Sequence, residues 1–372
     1  MPARPGAKSS VSVVLRTENA ERSLPRLLHS LENQKYAPCE LLIHDSGSTD
    51  GTREIIDGFV THAPFGVRLI GTEPKTRAQA YSDVVGAAAG DVIAMADQTD
   101  LWVPRKTLRV AKAFDTEPEL GVAVGDAWLV NKRLDETGVL LWDALLFASH
   151  RKAALALGAG SIPHNHWLVK ALPLERLLPF LATTFLAPGS RPAFKNTLKD
   201  VILPIPEHPI EEWIVVLAAL LHPFRLMTEP LQHIVPPDVP WMLASRRRPD
   251  HAKGRFGRIA KRFRTALKWF DEEASTEARK RRVVEGALLN DAADRLDATR
   301  AAHAGRTGIV PSEAAEAAIV DLREQARHLL ARGSLPPGRM RRLGPVLREA
   351  RSGGYGRYAR FGTVSVLRDL TV

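Results

Sequence analysis

The first 125 residues alternate between two hydrophobic periods. Val11-Ser12-Val13-Val14-Leu15 reads as a buried strand, and Leu24, Leu27, Leu28 and Leu31 then recur at helical spacing. Leu41 to His44 predicts a second strand, and Ile55, Ile56, Phe59 and Val60 mark the inner face of a second helix. Val67 to Ile70 follows as a third strand, with a helix from about Thr76 to Ala89. Asp91 to Ala96 is a fourth strand, running into the acidic turn Asp97-Gln98-Thr99-Asp100. Strand–helix alternation with short connections argues for an α/β fold whose sheet is mostly parallel and covered by helices on both faces.

From about Gly125 to Trp241 the pattern loosens. Pro204, Pro206 and Pro209 punctuate a loop before an apolar helix that begins near Glu211 or Glu212. After Trp241 arginine and alanine dominate, and helices are expected around 255–271, 275–302, 312–333 and 338–350. The expected organisation is an α/β domain over 8–240 followed by a basic, mostly helical region over 241–372.

Composition narrows the class. A chain of 372 residues that is 45% hydrophobic suits a packed protein of two domains, or of one large domain with a substantial appendage. A single cysteine, Cys39, excludes a disulfide framework and any cysteine-based zinc site. Met1 to Ser10 holds no apolar core, and no run of eighteen apolar residues follows. The expectation is a soluble, cytoplasmic protein, at most peripheral at the inner membrane face. The net charge of +10 favours anionic partners. Much of it crowds into 246–268, where Arg258, Lys261, Arg262, Arg264 and Lys268 interleave with Phe256, Ile259, Phe263 and Leu267 at helical spacing. Such a segment, 254–270, either packs on the α/β domain with a solvated basic face or binds an anionic membrane surface. Nucleic acid is the least favoured partner, because no nucleic-acid motif accompanies the charge.

Candidate chemistry gathers in two acidic turns. Leu41-Leu42-Ile43-His44-Asp45 ends in the small-residue turn Ser46-Gly47-Ser48-Thr49-Asp50-Gly51-Thr52, and the fourth strand ends at Asp97 and Asp100. In a parallel sheet both turns lie at the carboxyl edge, where α/β folds bind ligands. One acid there can accept hydrogen bonds from a base or ribose, and a pair can hold a divalent cation against a diphosphate. The plainer reading is that aspartates favour turns and helix caps, with Thr49 or Asp50 capping the next helix.

Three blocks add a resemblance: Ser12-Val13-Val14-Leu15-Arg16-Thr17-Glu18-Asn19, the turn Asp45 to Thr52, and Ala89-Gly90-Asp91-Val92-Ile93-Ala94-Met95-Ala96-Asp97-Gln98-Thr99-Asp100-Leu101-Trp102. Together they resemble family 2 glycosyltransferases of the Rossmann-like GT-A fold, and the third is similar to the variant Asp-Gln-Asp-Asp-x-Trp motif of rhamnosyltransferase-like members. The likeness continues more weakly through Gly189 to Lys195, Leu203 to Pro206, Trp213, Glu229 to Leu231 and Gly354 to Arg360. It implies a nucleotide-sugar donor, an acceptor hydroxyl, an inverting transfer and a role in cell-envelope polysaccharide assembly. It also implies that Thr17, Glu18, Asp45, Ser46, Arg77, Asp97 and Gln98 surround the donor. A divalent cation, Mg2+ or Mn2+, would lie at Asp97 and Asp100, and Glu211, with Glu212 beside it, would be the general base.

The departures from that pattern matter as much. The third acidic position is Thr99, a neutral hydroxyl and a poor cation ligand. The His-Asp-x-Trp base motif becomes Ile210-Glu211-Glu212-Trp213, and a Tyr-Arg-Gln-His cluster becomes Ile234-Val235-Pro236-Pro237. Two readings stay open. Either Lys or Arg replaces the metal as the diphosphate's counter-charge, or the chain is a catalytically degenerate binding or scaffolding protein. His164, His166, His208, His222 and His233 match no standard metal spacing and read as structural or surface groups. Trp102 and Trp213 fit core packing and ring stacking on a ligand equally well.

Overall fold

The computed structural model describes residues 8–131, 135–141, 161–162, 191–227, 229–235, 276–302, 313–336, 339–358 and 364–371. The described residues fall into two compact units, one up to 235 and one from 276 onward.

The first unit opens with β1 (Val11–Thr17), α1 (Leu24–Glu32), β2 (Glu40–Asp45), α2 (Thr52–His62), β3 (Gly66–Gly71), α3 (Arg77–Ala87) and β4 (Val92–Asp97). These match the expected strands and helices. The strands pair in parallel in the order β3-β2-β1-β4. Alternation along them separates two apolar faces. Val11, Val13, Leu15, Leu41, Ile43 and Val92 share a core with Leu24, Leu27 and Leu31 of α1 and Ile56 and Phe59 of α2. Helix α3 lies against β1 and β2, and Tyr81 on it donates from its hydroxyl to Ala96 O at 2.7 Å.

The chain continues through β5 (Leu101–Trp102), α4 (Lys106–Thr116), β6 (Val122–Gly125), β7 (Trp128–Val130), β8 (Glu136–Leu140), β9 (Ser161–Ile162) and β10 (Ala193–Lys195). The unit closes with α5 (Lys199–Ile202), α6 (Ile210–Leu221), β11 (Phe224–Met227) and β12 (Gln232–Ile234). Strand β10 enters the main sheet antiparallel, between β4 and β6, and β11 and β9 extend it. A second sheet in the order β5-β12-β7-β8 forms beside it. The loosened stretch after Gly125 therefore contains strands of two to five residues. They are too short to show a period.

In the second unit, α7 (Thr276–Ala302) and α8 (Glu313–Gly333) bury Leu289, Ala292, Ala293 and Leu296 with Ile319, Leu322 and Ala326. The helices come close because glycine faces bulk. A Cβ on Gly286 would lie 2.8 Å from Leu330 Cγ, and one on Gly333 would lie 2.6 Å from Val283 Cγ2. Helices α9 (Arg339–Arg351), α10 (Gly354–Tyr358) and α11 (Val364–Thr371) follow. Asp369 receives Arg332 Nε at 2.7 Å and the Tyr355 hydroxyl at 2.8 Å, so the Gly354 to Tyr358 stretch is tied to the last helix. The segment 254–270, with its expected basic helix, lies outside the described residues, as do His164 and His166.

Candidate active site

Strand register sets the site. Thr17 pairs with Asp45 and Arg16 with Asp97, so the ends of β2 and β4 flank the end of β1. Asp45 Oδ1 accepts from Thr17 Oγ1 at 2.9 Å and from Ser48 Oγ at 2.6 Å. The turn needs glycine at 47, where φ is +75° and a Cβ would meet Pro74 Cγ at 2.8 Å. The cap of α2 is Gly51 rather than Thr49 or Asp50. Asp50 instead accepts from Thr52 N and Oγ1, at 3.1 and 2.5 Å. Gln98 bridges to β1, its Oε1 accepting from Glu18 N at 2.8 Å and its Nε2 donating to Glu18 O at 3.1 Å. Arg16 Nε donates to Ser46 Oγ at 3.0 Å. Thr17, Glu18, Asp45, Ser46, Asp97 and Gln98 thus occupy one edge.

Two arginines complete it. A capping box between Thr76 and Gln79 starts α3, so Arg77 is its first residue. Arg77 reaches Glu211, at the start of α6, through two bonds of 2.7 and 3.1 Å. Arg191 precedes β10 and is held beside β4 by Met95 N donating to Pro192 O at 3.1 Å. Its buried guanidinium contacts three carboxylates: Glu211 Oε1 at 2.9 Å, Asp100 Oδ2 at 3.2 Å and Asp97 Oδ2 at 3.3 Å. Burial pushes Glu211 up, but Arg77 and Arg191 outweigh it and hold its carboxyl below the usual range. Asp97 follows the same balance, with Arg191 and the Thr99 hydroxyl prevailing over burial. Asp100 goes the other way: burial raises it, and Arg191 offsets only part of that. Arg191 is the residue that sequence reasoning did not single out. It stands 91 residues from Asp100, inside the Gly189 to Lys195 stretch, whose weak likeness to the family was the one signal that could have found it.

Behind Arg191 a small cavity is lined by Lys106, Asp126, Ala193 and Gln232. Lys106 is buried, donates to Gln232 Oε1 and lies 3.6 Å from the centre of the Trp102 ring. Burial lowers its pKa to about 7, with Asp100 only partly opposing. The folded protein therefore releases this proton near pH 7, whereas the unfolded chain keeps it to 10.5. Between those values the unfolded state binds more protons, so this group adds stability as pH rises. Denaturation midpoints of wild type and Lys106→Met, compared across that window, should show the rise in the wild type and its loss in the variant. Parallel curves would refute it.

The place between the two acids of the expected cation pair is taken by Arg191. Asp97 Oδ1 accepts from Thr99 N at 3.1 Å and Thr99 Oγ1 at 2.8 Å, and its Oδ2 faces Arg191. Asp100 Oδ2 accepts from Asp97 N at 3.0 Å and also faces Arg191. Asp100 Oδ1 is left without a hydrogen-bond partner, so with Arg191 in place the pair offers one unengaged oxygen, too few to hold a divalent ion. His44, Glu73 and Asp83 also converge, His44 Nε2 lying 3.4 Å from Asp83 and 3.8 Å from Glu73. Lys75 Nζ already supplies a cation there, at 2.7 and 2.8 Å from the same two acids. Of the two open tryptophan readings, core packing holds for both: Trp213 is 1% exposed and Trp102 3%. Among the described residues no helix is long and apolar enough to cross a membrane.

Residues 12–171 match the family model described as Glycosyl transferase family 2. That stretch is less than half of the chain, and over it the chain is similar to family 2 glycosyltransferases. An uncharacterized glycosyltransferase of Nostoc sp. is 32% identical over 112 residues, 30% of this chain and 35% of the relative. EpsE of Bacillus subtilis, described as a glycosyltransferase, is 35% identical over 130 residues, 35% of this chain and 45% of the relative. WfgD of Escherichia coli, named a UDP-Glc:alpha-D-GlcNAc-diphosphoundecaprenol beta-1,3-glucosyltransferase, is 32% identical over 97 residues, 26% of this chain and 37% of the relative. The chain thus spans less than half the length of these relatives. The strands that present Asp45 and Asp97 lie inside the matched region, whereas Arg191 and Glu211 lie beyond it.

Proposed function

We propose that the protein transfers a sugar from a nucleoside-diphosphate-sugar donor to an acceptor hydroxyl, with inversion at the anomeric carbon. The observation that carries this reading is the pair Arg77 and Arg191, set among Asp97, Asp100 and Glu211 at the carboxyl edge beside the Asp45 turn. A departing nucleoside diphosphate needs fixed positive charge, and two guanidinium forks match its oxygens. Thr17, Glu18, Asp45, Ser46 and Gln98 would surround the nucleoside and ribose. Glu211 would accept the acceptor's proton, with Glu212 as its neighbour on α6. Its Oε1 takes two arginine bonds and its Oε2 only one, and its lowered pKa keeps it ionised near neutrality. A low-pKa carboxylate suffices where the attacking hydroxyl becomes acidic late in the transfer.

The WfgD name points to a UDP donor and a lipid-linked acceptor, and the rhamnosyl-type motif adds dTDP-rhamnose to the donors to test first. Assembly of envelope polysaccharide at the inner membrane face, with 254–270 on the lipid, fits both. A second reading, a nucleotide-sugar-binding protein without turnover, draws on Thr99 at the altered acidic turn.

Calorimetric titration with UDP and dTDP, combined with donor turnover, tests the proposal. In Glu211→Gln, turnover should fall by about 10²–10⁴-fold. Nucleotide affinity in that variant should be retained or improved, because a competing anion leaves the arginines. A wild type that binds nucleotide yet turns over no donor across a panel of lipid and sugar acceptors would favour the second reading.

A further inference from the structure

We propose that Arg191 stands in for the divalent cation, so that the donor's diphosphate is bound by Arg191 and Arg77 without metal. This inference rests on the transferase reading above and specifies how that same site holds its donor.

Three observations support it. First, the guanidinium already occupies the place between the two acidic-turn carboxylates, 3.3 Å from Asp97 and 3.2 Å from Asp100. A metal ion bound to both would have to displace it, and the ion's charge would repel the arginine at close range in a buried setting. Second, of the four carboxylate oxygens Asp100 Oδ1 is the one left unengaged, without a hydrogen-bond partner, and a divalent ion needs several oxygens. Thr99 presents its hydroxyl proton to Asp97 Oδ1, and Asp97 N bonds Asp100 Oδ2. Third, the arginine is built in. Pro192 O is bonded by Met95 N of β4, and Glu211 Oε1 receives Arg191 Nη1 at 2.9 Å and Arg77 Nη2 at 2.7 Å. One carboxylate thereby aligns two forks side by side. Arginine keeps its charge throughout the working pH range, so the counter-charge does not depend on metal supply or on pH.

The test uses the full-length protein. Titrations with UDP, GDP and dTDP are run in EDTA and again in Mn2+, and Mn2+ alone is followed by electron paramagnetic resonance. Affinity should change by less than about threefold between the two buffers, and the wild type should leave Mn2+ free. Arg191→Ala, or Arg191→Gln if the alanine variant fails to fold by circular dichroism, should gain a Mn2+ site that the wild type lacks. Nucleotide affinity that drops about tenfold or more in EDTA would overturn the proposal. So would Mn2+ held by the wild type and lost in Asp97→Asn. Should no nucleotide bind in either buffer, the transferase reading falls, and the Mn2+ measurements alone still decide whether arginine has taken the metal's place.

Discussion

Replacing Arg191 with alanine lowers the free energy of unfolding by about 3–5 kcal/mol at neutral pH, the range for removing one partner of a buried ion cluster. The side chain is 8% exposed and neutralises three carboxylates that approach one another from β4, the turn after it and α6. Without it, Asp97, Asp100 and Glu211 are left with Arg77 and Lys106, and water has little access to make up the difference. The pH dependence separates this cause from simple loss of packing. In the wild type Asp97 and Glu211 have lowered pKa values, so their stabilisation is present above the unfolded values of 3.8 and 4.5 and fades as pH falls through the folded ones. In the variant, repulsion raises those pKa values, so the folded state takes up protons before the unfolded chain does. The stability deficit should then shrink as the pH approaches 4.5. Denaturant unfolding of both proteins across this range is the measurement. A deficit that stays constant with pH would mean that the arginine fills space and does not balance charge.

Trp213→Ala should cost about 3–5 kcal/mol, as expected for emptying a fully buried aromatic site. The indole is 1% exposed, and its Nε1 donates to Ile202 O at 2.9 Å, joining α6 to the end of α5. Phenylalanine should refill most of the volume and lose only that hydrogen bond, at about 1–3 kcal/mol for the carbonyl left unpaired. The same pair of variants decides a functional question. A ring with this burial cannot stack on a base or a sugar, so Trp213→Phe should bind nucleotide with wild-type affinity. A loss of about tenfold or more would instead place the ring against the donor.

The parallel strands and their helices were legible because strands buried on both faces read as continuous apolar runs. Asp45 and Asp97 could be placed at one edge on that basis alone. The helices of the second unit were legible for another reason: 276–302 and 313–333 contain few breakers, so their limits stand close to the expected 275–302 and 312–333. The second sheet was not legible, since strands such as Leu101–Trp102 and Trp128–Val130 are shorter than one repeat of any useful pattern. The core of the site was only half legible. Arg77 and Glu211 meet across 134 residues, and Arg191 reaches Asp100 across 91. Neither separation leaves a local signature. What the sequence did show was the deficit: with Thr99 in place of an acid, the turn had lost a cation ligand, which left either a substitute positive group or a degenerate site as the reading.

The cluster of Arg77, Arg191 and Lys106 with Asp97, Asp100 and Glu211 also bears on how a donor would arrive. With the lysine protonated, these six groups balance in number, so the cluster itself adds no net charge to attract a diphosphate. Entry becomes an exchange of anions, in which phosphate oxygens take over guanidinium bonds that carboxylates give up. Such a site would choose its ligand by the geometry of those bonds, while any attraction from a distance would have to come from the charge of the rest of the chain.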